Sequence, residues 1–124
     1  MYKIIAHNNE DILVEEPSAN YSYTYADYLQ WTIEERIELF KGRILKLSAP
    51  NRFHQEVSGA LYVNIQQFLK GKKCKVYAAP FDVRLPIQNK KKDYEVTTVV
   101  QPDICVICDE TKLDDRGCCG APDL

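Results

Sequence analysis

A chain of 124 residues with 45% hydrophobic residues, 27% charged residues and a net charge of −2 has the size of one domain, on the order of 100 to 150 residues. Its balance lies far from the low-apolar, high-charge composition of disordered chains. No stretch approaches the roughly 18 apolar residues a membrane span needs, and the N-terminus lacks the charged-then-apolar order of a secretion signal, so the chain reads as cytoplasmic and free of membrane.

The five cysteines, Cys74, Cys105, Cys108, Cys118 and Cys119, are an odd number, which fits reduced thiols better than a disulfide framework. With no global basic field, a polyanion would have to be met by local patches. Lys70, Lys72, Lys73 and Lys75 form one such run and Lys90, Lys91 and Lys92 another, each equally readable as a solvated turn beside Gly71 or Asn89.

In chain order, residues 1–22 hold two apolar stretches, 2–6 and 12–14, around Asn8-Asn9-Glu10-Asp11, which suits a small hairpin or an arm. Thr24 and Asp27 have capping-box spacing, predicting a short helix over 25–31, and Thr32 with Glu35 repeats the spacing and predicts a second helical turn. Residues 37–40 and 44–47 around Lys41-Gly42 read as a β-hairpin. After an Asn51 cap, Phe53, Val57, Leu61, Ile65, Phe68 and Leu69 recur at helical spacing up to Gly71, and that single apolar stripe predicts a long helix packed on a sheet.

Strand-like segments follow at 76–79 and 81–85, broken by Pro80, then a lysine-rich excursion over 86–94. Segments 97–100 and 104–108 flank Gln101-Pro102-Asp103, and the second is apolar at nearly every position, as in a strand buried on both faces. Residues 109–123 are turn-like, with Gly117, Gly120 and Pro122.

Asp103 stands at the mouth of that apolar strand, where a buried carboxylate needs a partner such as a divalent cation. Pro-Asp is also an ordinary strand entrance, so the dipeptide alone carries little.

The wider order of motifs carries more. Tyr23-Thr24-Tyr25-Ala26-Asp27-Tyr28-Leu29 comes first, then Ile37-Glu38-Leu39 with Gly42, then Ser48-Ala49-Pro50 with His54-Gln55. Pro80-Phe81-Asp82-Val83-Arg84-Leu85, Val99-Val100-Gln101-Pro102-Asp103 and Gly120-Ala121-Pro122-Asp123-Leu124 complete the set. From about Tyr23 onward this series resembles the Uma-type restriction-endonuclease family, a large bacterial group of the PD-(D/E)XK superfamily.

The resemblance implies an α/β (α+β) domain over 23–124 with a restriction-endonuclease-like core, a mixed β-sheet flanked by helices. It implies phosphodiester hydrolysis of nucleic acid, DNA foremost, assisted by Mg²⁺ or Mn²⁺. It assigns Asp103 and Glu38 as metal ligands and catalytic acids, and His54 as a further catalytic candidate. A metal so held would polarise the phosphate and lower the pKa of an attacking water.

Two departures from the family pattern lead to the expectation of an incomplete site. The family continues beyond Gly-Ala-Pro-Asp-Leu into a strand with a catalytic glutamate and a helix with a lysine, whereas this sequence ends at Leu124. The acids usual beside the hairpin glycine are replaced by Lys41 and Arg43. Mg²⁺ needs several well-placed oxygens, so the expected chain lacks C-terminal elements, binds the ion weakly and is inactive by itself. An unpaired edge along 104–108 would then invite a homo-oligomer.

Rival readings stay open. His54 on the helix stripe is also an ordinary helix residue, Glu38 an exposed strand acid, and Asp82 a structural partner of Arg84 on the same strand face. A non-catalytic interaction protein retaining the fold is one alternative. A zinc-stabilised module is another, since Cys105, Cys108, Cys118 and Cys119 supply four thiolates, although a spacing of three in a strand puts Cys105 and Cys108 on opposite faces.

Overall fold

The computed structural model describes residues 2–6, 11–14, 22–33 and 36–124, with side chains described for 22–31 and 36–124. The expected turn at 8–10 and Glu35 lie outside the described residues. The chain divides into two compact units, Met1–Ser48 with Arg84–Val100 and Ala49–Val83 with Gln101–Leu124.

In the first unit, β1 (Tyr2–Ala6) pairs antiparallel with β2 (Asp11–Val14), and on its other side with β3 (Trp31–Ile33). The helix α1 (Tyr25–Leu29) begins as its spacing requires. The Thr24 hydroxyl accepts the Asp27 N–H at 3.4 Å and the Asp27 carboxylate accepts the Thr24 N–H at 2.9 Å, a reciprocal box that satisfies two free donors. The second helical turn expected at Thr32 is instead β3, with Thr32 opposite Ile5 and Ile33 opposite Ile4. Branched Thr32 and Ile33 lose side-chain freedom in a helix and fit a pleated strand, and β1 offers backbone partners that an isolated turn lacks.

The hairpin of β4 (Ile37–Phe40) and β5 (Arg43–Lys46) forms as expected, turning through Lys41 at φ 50° and Gly42 at φ 81°. Two left-handed residues in a two-residue loop match the twist of the flanking strands. Gly42 is required twice over, because a Cβ there would also strike the Ser22 side chain. Its N–H donates to the Thr97 carbonyl at 2.7 Å, and its carbonyl accepts the Tyr23 N–H at 2.8 Å.

Beyond β4 lies β8 (Val99–Val100), with Val99 opposite Leu39, and the order in this unit is β7-β8-β4-β5, where β7 (Asp82–Arg84) enters through Arg84. Tyr25, Tyr28, Ile37, Leu39, Ile44, Val96 and Val99 form the core. Arg84 is buried with its guanidinium 5.2 Å from the centre of the Tyr25 ring, a cation over an aromatic face.

The second unit holds α2 (Arg52–Leu69), β6 (Lys75–Ala78), β9 (Ile104–Ile107), β10 (Leu113–Asp114) and β11 (Gly117–Cys119). Here the order is β10-β11-β7, and β6 pairs with β9 antiparallel, Val76 opposite Val106. Cys105, Val106 and Ile107 are buried in succession, as expected of a strand covered on both faces.

Three expectations need correction here. The stripe of α2 is covered only in part: the helix packs on β6 as expected and Ile65 and Leu69 are half-buried, but no residue of it is fully buried, and Phe53 and Phe68 are 72% and 70% exposed. The helix meets β6, whose four residues are too short to cover 18. Secondly, Cys74 and Cys108 form a disulfide across 34 residues. Continuing the β6–β9 register one step beyond Lys75 opposite Ile107 brings them face to face, a relation that no local spacing reveals. Thirdly, the edge of β9 is occupied at Val106, which donates to the Leu124 carbonyl and accepts from the Asp123 N–H, both at 2.8 Å.

Strands of this kind with one long helix make the chain α+β, in keeping with a restriction-endonuclease-like fold. Among the described residues, no helix is long and apolar enough to cross a membrane.

Candidate functional site

Asn51 caps α2, its side-chain oxygen accepting the His54 N–H at 2.8 Å. This cap fixes the first turn and with it the imidazole of His54. Asp103 directly precedes β9, and its carbonyl accepts the Ala79 N–H at 3.1 Å, extending the β6–β9 ladder. The two side chains meet there, His54 Nε2 lying 3.1 Å from Asp103 Oδ2.

Together with Asn51, Phe53, Val57, Ser58, Leu61 and Ile104 they line a cleft of about 570 Å³. Positions 54, 57, 58 and 61 share one helix face, so the cleft has an apolar wall with an acid–imidazole pair. The carboxylate is not buried as its place before an apolar strand suggested. Its side chain is 57% exposed and that of His54 43%, because Asp103 precedes the buried stretch instead of joining it. With a carboxylate accepting from one ring nitrogen, the other is free to take a proton.

The remaining expected residues distribute as follows. Glu38 lies in β4 of the first unit, half-buried opposite Leu45. Asp82 accepts a hydrogen bond from Gln101 Nε2 at 3.1 Å. Asn51 and Ser58 were missed as cleft residues. Ser58 was legible in principle, being one helical turn beyond His54.

The residues present do not fit a complete magnesium site. Asp103 and His54 supply one carboxylate and one nitrogen, Mg²⁺ calls for near-octahedral oxygen ligands, and among the described residues no three His, Cys, Asp or Glu gather to hold a metal. A zinc set fails for a separate reason. Cys108 is consumed in the disulfide with Cys74, which removes one of the four thiolates such a site would need.

A family model described as Uma2, putative restriction endonuclease, matches residues 25–124. No curated protein matches the chain.

Proposed function

Because the chain belongs to the Uma2 family of putative restriction endonucleases, we propose that it acts on nucleic acid, hydrolysing phosphodiester bonds at the cleft of His54 and Asp103. The observation that supports this most is the 3.1 Å contact between His54 Nε2 and Asp103 Oδ2 in a cleft lined by both. In this reading His54 takes a proton from the attacking water, and Asp103 holds the ring in place and stabilises the imidazolium that forms. Base catalysis of this kind is worth about 10² to 10⁴ in rate. Glu38, a carboxylate of the first unit, is a separate candidate, which Glu38→Gln tests.

The family suggests a metal-dependent nuclease, with Mg²⁺ or Mn²⁺ as the ion. The two donors of the cleft favour a second reading, a non-catalytic protein that keeps the fold and binds nucleic acid or another partner. Homo-oligomerisation accompanies either reading as a proposal of its own. Light scattering of the 14.3 kDa chain measures it.

Nicking of supercoiled plasmid DNA, with Mg²⁺, with Mn²⁺ and with chelator, separates the two functions. Cleavage that drops at least tenfold in both His54→Ala and Asp103→Asn is expected. DNA binding without cleavage under any of these conditions would leave the non-catalytic reading.

A further inference from the structure

At the other end of α2, a second cleft of about 580 Å³ is lined by Gln67, Leu69, Lys70, Lys72, Lys75 and Tyr77, among others. We infer that this cleft and its lysine turn form a contact surface for the sugar-phosphate backbone of a nucleic acid, an inference that rests on the reading above. Lys70, Lys72, Lys73 and Lys75 are all exposed. No acidic residue occurs between Glu56 and Asp82, in a chain that carries 18 of them. The patch is therefore locally basic although the net charge is −2. One acid does stand near the turn, Asp109, whose carboxyl is held below its ordinary range by its Thr111 hydrogen bonds first and, more weakly, by Lys112 and Lys73.

The turn is fixed in several ways. Gly71 takes φ 77°, Lys72 N–H donates to the Leu69 carbonyl at 2.9 Å, and Lys72 Nζ sits 3.5 Å from the centre of the Phe68 ring. Cys74 ties the turn to Cys108. Lysine ammonium groups serve phosphates as point charges, and the Gln67 amide suits the sugar that accompanies them.

The separation along α2 suits one ligand, which would pass from one side of the helix to the other, since 13 residues put His54 and Gln67 roughly 140° apart around it. An α-helix rises ~1.5 Å per residue, so His54 and Gln67 stand roughly 20 Å apart along α2. At ~3.4 Å per nucleotide of a duplex strand, that is about six nucleotides. The lysine turn would hold the backbone about half a helical turn from the His54–Asp103 cleft.

The test is fluorescence anisotropy of a labelled 12-nucleotide DNA, single-stranded and duplex, titrated at several salt concentrations. The proteins are the wild type, a variant with Lys70, Lys72, Lys73 and Lys75 all changed to Gln, and a control with Lys90, Lys91 and Lys92 changed to Gln. Expected are at least tenfold weaker binding by the first variant, a salt slope reduced by about two to four, and a control within twofold of wild type. Far-UV circular dichroism checks that the variants are folded, and a flat salt dependence of the wild type would overturn the inference without any variant. Equal affinity of wild type and the fourfold variant would overturn it too, while leaving plasmid cleavage, and so the proposed reaction, standing. Weakened binding with no cleavage by wild type would support the surface and remove the enzyme reading.

Discussion

His54 and Asp103 stand 49 residues apart in the chain and meet at 3.1 Å, both about half exposed. A pair open to solvent contributes no more than about 1 kcal/mol to stability. Asp103→Asn and His54→Ala should therefore each shift the unfolding free energy by less than about 1 kcal/mol in urea titrations, while lowering the proposed plasmid nicking at least tenfold. Equal, small losses of stability and activity would mean that the pair is only a surface contact.

Gly42 carries a left-handed backbone and has no room for a methyl group beside Ser22. Gly42→Ala should cost about 1 to 3 kcal/mol through backbone strain and the displaced Ser22. Lys41, left-handed at φ 50°, gives the opposite sign: Lys41→Gly relieves about 1 kcal/mol of strain and offsets part of it by added freedom of the unfolded chain. Thermal melts of the two variants should move in opposite directions, and a neutral Gly42→Ala would refute the strain argument.

The Cys105 thiol ionises only near 11 in the folded chain against an ordinary value of 9.0, through burial first and Cys118 second. Its folded pKa is raised, so its contribution to stability is complete below pH 9 and is lost as pH climbs from about 9 to about 11. The unfolding midpoint should fall over that window and fall less in Cys105→Ala, compared with its own value at pH 7. Iodoacetamide at pH 8 should label Cys119, which is half-exposed, ahead of Cys105. Rapid labelling of Cys105 in the folded chain would contradict its burial.

Cys74 and Cys108 close a loop of 34 residues, for which the loss of chain entropy in the unfolded state amounts to about 4 kcal/mol. Dithiothreitol, or Cys74→Ser, should lower the unfolding midpoint substantially, and reducing agent should have no further effect on the variant. Identical melts with and without reductant would show that the two thiols contribute nothing as a bond.

The sequence by itself determined what neighbouring residues decide. The Thr24–Asp27 box, the Lys41-Gly42 turn and the Asn51 cap were legible because each rests on hydrogen bonds or backbone angles within a few residues. The apolar spacing of α2 likewise specified a helix, but not what covers it, since amphipathic period says nothing of the size of the opposing surface. Thr32 shows the limit of local pattern, where pairing with Ile5 of β1 outweighed a spacing that also suits a helix cap. Only the tertiary structure decided that Cys74 faces Cys108, that residues 123–124 close the edge of β9 at Val106, and that His54 reaches Asp103. The first two depend on how β9 is paired along its two edges, and the third on where the first turn of α2 comes to lie beside the entrance to β9. Such contacts join residues far apart in the chain, and their energy exists only once the strands have chosen partners.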